Sequence, residues 1–314
     1  MRFTGLYVLH APPQATMIAR SQRFFVLTLL FALAGWLLWQ WPQSPLRAVW
    51  GALLPAVLFL GLMVVEFVMM HTMNRTDDAP RSHLAEVVVA WWAEVRAAVW
   101  VFCWAQPFRS QAHPDRLSAP PTGRRGVVLV HGFMCNRAVW LAWFEPLRQA
   151  GHAYEAVNLE PIIGSIDDYA GTIEAAVQRV TAATGRAPVV VCHSMGGLAV
   201  RAWLRSHAAD DRVHRVLTLG TPHGGTWAGR FSHAVNGRQM RLGGEWVTAL
   251  QHAEPAGRAG LFVCWYSNCD NIVFPAGTAA LAGAQNRLVR GVGHVQMALH
   301  AGVMRECLEE IGRD

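Results

Sequence analysis

The stretch Val189-Val190-Val191-Cys192-His193-Ser194-Met195-Gly196-Gly197 decides the reading of this 314-residue chain. Its three consecutive valines have the pattern of a strand buried on both faces. Ser194 follows almost at once, and residues 195–207 are patterned as a helix. A serine at such a strand-to-helix junction sits on a tight turn, so the residues two before and two after it must be small. Gly196 meets that need on one side, and Cys192 stands where Gly is usual on the other. The helix beginning behind Ser194 offers backbone N–H groups and a positive dipole end. A serine serving only as an N-cap is the plain alternative.

Outward from this turn, strand-like segments at 126–130, 154–158, 188–192, 213–219, 261–266 and 287–289 alternate with helical ones at 137–150, 166–184, 195–207 and 295–311. That alternation predicts an α/β domain, a mostly parallel sheet with helices on both faces. Three further signals fall at the ends of its strands. His131-Gly132-Phe133 follows the first strand, where backbone N–H groups of Phe133 and Met195 are placed to hold a developing oxyanion. Asp270 follows the strand at 261–266, and His294 follows the last one, just before the final helix. The order Ser, Asp, His with a serine on a sharp turn is a nucleophile, acid and base arrangement for acyl transfer.

Other polar residues have blander readings. His193 points away from its neighbours' side and reads as packing, while His131 and His223 shape their loops. Asp167 and Asp168 precede a helix and read as caps, with a reserve role should Asp270 not serve as the acid. No Cys, His or acidic cluster has the spacing of a zinc site, and no glycine loop that of a phosphate site, so neither metal nor cofactor is expected.

His131-Gly132-Phe133, the turn 192–197, Thr221-Pro222-His223-Gly224-Gly225 and Gly291-Val292-Gly293-His294 together resemble the α/β-hydrolase family of bacterial triacylglycerol lipases and esterases. The resemblance spans about residues 124–314. It implies an α/β-hydrolase fold and an ester or lipid substrate. It also implies Ser194 as nucleophile, His294 as base, Asp270 as its acid partner and Phe133 and Met195 as oxyanion donors. An acyltransferase or thioesterase using the same three side chains is a second reading, and a non-catalytic membrane scaffold or transport component a third. Residues 226–260 read as a cap, apolar enough for an acyl chain.

Secreted lipases have no counterpart to the first 110 residues. The chain is 53% hydrophobic and only 15% charged, against about 25% charged in average soluble chains. Eight of its 14 Trp precede residue 111. Residues 24–39 and 48–65 carry no charge and approach the length that a bilayer core demands. Transmembrane helices are therefore expected at about 24–41 and 48–70, joined by a Pro-punctuated turn rich in Trp at a water interface. A cleaved leader is disfavoured because a second apolar span follows the first. Residues 84–108 are apolar but contain Glu86, Glu94 and Arg96, costly at a bilayer centre. They read as an amphipathic helix lying on the membrane or packing on the next domain. Glu66, at the end of the second span, is expected at the interface beside His71 and Arg75, an intramembrane functional carboxyl being the alternative.

Residues 1–110 are thus read as a membrane anchor, 111–125 as a linker and 126–314 as the catalytic domain. Arg2, Arg20 and Arg23 before the hairpin and Arg75 and Arg81 after it, against Arg47 in the turn, put both ends and the catalytic domain on the cytoplasmic side of an inner membrane. Six unpatterned Cys agree with a reducing compartment. The net charge of +6 comes entirely from scattered Arg, without the clustering that nucleic acid requires. The membrane and an ester or lipid are the expected partners, and the sequence carries no signal for an oligomeric state.

Overall fold

One six-stranded sheet, ordered β2-β1-β3-β4-β5-β6 and parallel throughout, has the valine-rich runs β1 and β3 side by side near its middle. Its strands are β1 Val127–Val130, β2 Tyr154–Ala156, β3 Val189–His193, β4 Arg215–Leu219, β5 Phe262–Ser267 and β6 Gln285–Val289. The computed structural model describes residues 16–117 and 123–313; Arg2 and residues 118–122 of the expected linker lie outside these.

Side chains alternate across a strand, and both sheet faces are buried. Val128, Val130, Val190 and Cys192 join a core with Ile173, Val177 and Leu198. Val127, Leu129, Val189 and Val191 face the other way, against Trp140, Trp143 and Phe144. Burial on both faces explains why these strands read as continuous rather than alternating apolar runs. Strand order reverses between β1 and β3, so a crevice opens beyond their carboxyl ends. His131 and Ser194 leave the sheet there.

The helices in chain order are α1 Met17–Gln40, α2 Pro45–Met73, α3 Leu84–Ala98, α4 Gln106–Arg109, α5 Leu141–Gln149, α6 Ala170–Thr184, α7 Met195–His207, α8 Val235–Gln239, α9 Glu245–His252, α10 His294–Leu299 and α11 Ala301–Ile311. Three expected helices differ in detail; the one at 166–184 opens with a 3-10 turn, Ile166–Tyr169, capped by Ser165. The one at 137–150 opens with a 3-10 turn, because Asn136 Oδ1 caps the Ala138 amide at 2.9 Å. The one at 295–311 breaks at His300, whose backbone is extended and whose ring caps Val303 at 3.3 Å.

Helices α1 and α2 form a hairpin. Ser44 caps α2, Pro45 occupies its first position, and Trp36 Nε1 donates to the Ala48 carbonyl at 3.1 Å. Both helices extend past the predicted spans, and their outer faces carry exposed Phe24, Phe31, Leu38, Leu54 and Leu58. Water-facing surfaces seldom carry so large a contiguous apolar patch. A π-helical stretch, Val99–Ala105, joins α3 to α4, making Leu84–Arg109 one rod. Met17–Gln40, Pro45–Thr76 and Leu84–Arg109 are all long and apolar enough to cross a membrane. The third was expected only as an amphipathic helix; one of its faces packs against α10 of the sheet domain. The start of α1 and the end of α2 both touch that domain. Met17 N donates to Glu160 Oε1 at 2.7 Å, and Asn74 Nδ2 donates to the Asn268 carbonyl at 3.2 Å.

Candidate active site

Ser194 sits between β3 and α7 with φ 55° and ψ −131°, a conformation that costs a non-glycine residue about 1–3 kcal/mol. Two hydrogen bonds hold it there. The Ser194 amide donates to the Leu219 carbonyl at 2.9 Å, and Thr221 Oγ1 donates to the Ser194 carbonyl at 2.8 Å. The demand for small neighbours is steric. A Cβ on Gly196 would stand 2.5 Å from the Val130 carbonyl oxygen and 2.7 Å from that of His131. Cys192 is fully buried in the sheet core, and burial pushes its thiol pKa well up, leaving it an uncharged spacer.

His294 opens α10, with Nε2 2.9 Å from Ser194 Oγ and Nδ1 2.9 Å from Asp270 Oδ2. Asp270, beyond β5, keeps its other oxygen, Oδ1, on the Ile272 and Val273 amides at 3.0 and 2.7 Å. With the carboxylate able only to accept, the imidazole proton lies on Nδ1 and Nε2 is free to accept from the serine. Burial disfavours a charged His294, but the facing Asp270 carboxylate and its hydrogen bond outweigh it, with Glu94 and Glu66 adding to them. Its pKa is held above the ordinary 6.5.

The loop after β1 closes onto the serine; a Cβ on Gly132 would lie 2.7 Å from Ser194 Cβ. Phe133, next in this loop, lines the same cavity as Ser194, and Met195 is the first residue of α7. His131 Nδ1 donates to the Gly132 carbonyl at 2.9 Å and its Nε2 accepts from the Leu159 amide at 3.0 Å, shaping this loop. Burial drives its pKa to about 4. His193 Nε2 donates to the His294 carbonyl at 3.0 Å, its ring tilted against that of His294; burial drives its pKa to about 3. His223 contacts Thr218 and Arg201. Asp168 accepts from the Ser165 amide as a cap, and Asp167 binds Arg205 and Trp246, away from His294. Among the described residues no group of three His, Cys, Asp or Glu could hold a metal.

A cavity of about 280 Å3 opens on Ser194 and His294. From segment 226–260 only Thr226 and Met240 line it. Its apolar wall is shared: Phe133, Ile272, Val273 and Val295 of the sheet domain are joined by Phe59, Leu62 and Met63 of α2 and by Ala98 and Phe102 of the α3 rod. Nothing in the sequence pattern signalled the share of α2 and α3.

Three carboxylates of the N-terminal helices bond to the sheet domain, whereas Arg96 is exposed. Glu86 binds Arg290 at 2.8 Å, and Glu94 accepts from the Val295 and Gln296 amides at 2.8 Å each. The cost of these charges marked the rod as requiring partners without identifying them. Glu66 does not lie with His71 and Arg75. Its Oε2 accepts from Asn271 Nδ2 at 2.8 Å, and Asn271 Oδ1 accepts from the His294 amide at 3.2 Å. Helical residues share a face at spacings of three and four, and His71 is five residues on, bonded to Ser82.

No family model matches the chain, and no curated protein matches it at the level of sequence. Solved structures do. The mature form of the Bacillus licheniformis lipase BlEst2 aligns with 64% of this chain and 96% of its own, at 17% identity and a TM-score of 0.56. The fold is that of the α/β-hydrolases. Aspergillus fumigatus lipase B aligns with 61% of this chain and 53% of its own, at 15% identity and a TM-score of 0.51. Within the α/β-hydrolase fold, the turn at Ser194 and the loops bearing Asp270 and His294 all lie beyond the carboxyl ends of parallel strands.

Proposed function

We propose that this protein is a membrane-anchored serine hydrolase that cleaves lipid-like carboxylic esters through an acyl-enzyme. The observation that carries the proposal is the chain of two 2.9 Å contacts, Ser194 to His294 to Asp270, opening into an apolar cavity. Ser194 Oγ attacks the ester carbonyl while His294 Nε2 takes its proton. Asp270 keeps the imidazole in the required tautomer and stabilises the imidazolium. The Phe133 and Met195 amides hold the tetrahedral oxyanion, each worth about 2.7–4 kcal/mol in comparable chemistry. Collapse expels the alcohol, protonated by His294. Water activated by His294 then frees the acid and restores Ser194.

The α2 side of the wall supports a bilayer-derived substrate. Phe59 lies about 21 Å along α2 from its end at Met73, at 1.5 Å per residue, so the cavity stands beside the apolar part of a candidate span. An ester with its acyl chain in lipid reaches the site without crossing water. Contact of the α1 start and the α2 end with the catalytic domain fits both termini of the hairpin being on that domain's side, which the Arg distribution makes the cytoplasmic side.

A fluorophosphonate probe on membranes tests the chemistry. Wild type labels covalently and Ser194→Ala does not; labelling that survives Ser194→Ala removes Ser194 as nucleophile. Turnover of p-nitrophenyl esters rises with acyl length over the range the cavity accepts.

A further inference from the structure

Two carboxylates inside the apolar N-terminal helices have no part in the chemistry above, yet both reach its histidine. Glu94 is 1% exposed. Its Oε1 and Oε2 accept from the amides of Val295 and Gln296, the two residues after His294. Glu66 holds Asn271, which accepts from the amide of His294 itself. Three consecutive amides are thus gripped from α2 and α3, two directly and one through an intermediary. A carboxylate in apolar surroundings is costly unless hydrogen-bonded, and charge-assisted bonds to backbone N–H groups are among the strong ones. Val295 and Gln296 carry first-turn amides of α10, which have no acceptor inside that helix, so Glu94 also caps the helix that His294 opens.

We propose that Glu94 is a positioning residue that fixes the backbone behind His294, keeping the imidazole within reach of both Ser194 and Asp270. The inference rests on the serine-hydrolase reading. It makes the anchor part of the catalytic apparatus, because the grip exists only while α3 is seated on α10. The titratable groups facing His294 come from four elements: Asp270 beyond β5, Glu94 on α3, Glu66 on α2 and His193 on β3.

The test uses the full-length protein in lipid–detergent micelles, a p-nitrophenyl ester, and active sites counted by complete fluorophosphonate labelling. Glu94→Gln loses one acceptor and the charge. It lowers kcat per labelled site by about 10- to 100-fold, the scale on which supporting partners act elsewhere, while KM stays within about twofold. A carboxylate facing an imidazolium raises its pKa; with the charge gone, neutral His294 persists further into acid. The acidic limb of kcat/KM therefore moves to lower pH. Glu94→Asp keeps the charge but is one methylene short, so kcat falls and the limb stays nearer its wild-type position. Wild-type kcat per site in either variant overturns the proposal. So does a loss confined to the number of labelled sites, with kcat per site and limb unchanged, since that is a folding role. If Glu94→Gln does not accumulate, the kcat per site of Glu94→Asp decides alone. Turnover by Ser194→Ala would instead overturn the hydrolase reading; normal Glu94→Gln with inactive Ser194→Ala removes only the positioning role.

Discussion

Replacing Asp270 with Asn removes one charge and almost no volume, and the local bonding dictates the consequence. Asp270 Oδ1 accepts from two backbone amides, at 3.0 and 2.7 Å, while Oδ2 accepts from His294 Nδ1 at 2.9 Å. An Asn side chain has one oxygen and one NH2 to distribute between these places. Turning the NH2 toward the amides would leave two buried donors unpaired, about 1–3 kcal/mol each. The oxygen therefore stays on the Ile272 and Val273 amides, and the NH2 faces Nδ1. A donor there moves the imidazole proton to Nε2, which then meets Ser194 Oγ as a donor and cannot accept its proton. The same tautomer error in a serine protease costs about 10⁴ in kcat, equivalent to about 5.4 kcal/mol of barrier. Ester turnover and the rate of fluorophosphonate labelling, both on full-length protein in micelles, should fall together while the melting temperature changes little. A loss below tenfold with intact folding would refute Asp270 as the partner of His294. Asp167→Asn, in a residue bonded to Arg205 and Trp246, should keep activity within about twofold.

Other outcomes follow from the same geometry. Burial disfavours charge on His294, but the Asp270 carboxylate raises its pKa above 6.5. In the proposed mechanism the neutral ring is the base, so kcat/KM should be full at alkaline pH and fall as pH drops through that raised value; a limb well below pH 6 in a pH–rate profile contradicts this. Gly196→Ala drives a Cβ to 2.5 Å from a carbonyl of β1, and the displaced turn should cost about 1–3 kcal/mol along with most activity, read by thermal unfolding and ester turnover. Unchanged turnover would show that Ser194 does not depend on that turn. Leu62→Trp fills part of the 280 Å3 cavity from α2. It should lower kcat/KM for dodecanoyl esters at least about tenfold relative to butanoyl esters, and an unchanged ratio would place the acyl chain elsewhere.

The β-branched runs at 127–130 and 189–191 announce themselves because burial on both faces selects the same residue types wherever it occurs. The crowding at Ser194 is equally local. Gly196 must be small because the Val130 and His131 carbonyls abut it, and that requirement is written two residues from the serine. The 3-10 start at Arg137 and the break at His300 are less legible, each resting on a single capping bond. Glu94 shows the limit of pattern reading. Its charge in an apolar segment demands a partner, yet Val295 and Gln296 lie about 200 residues away, and no local spacing encodes them. Glu66 misled for a related reason. Its sequence neighbours His71 and Arg75 are charged or polar, but the helical period turns them to other faces and leaves Asn271 opposite.

Sequence alone therefore determined the parallel α/β architecture, the serine on its turn, the order of Asp270 and His294, and the apolar character of the first 110 residues. Each is carried by local composition or period, which burial and backbone sterics impose directly. Tertiary structure alone decided that α2 and α3 help wall the cavity and hold the histidine loop. Those contacts depend on how distant segments dock, and a buried charge or exposed apolar face states only that it needs a partner, never which one.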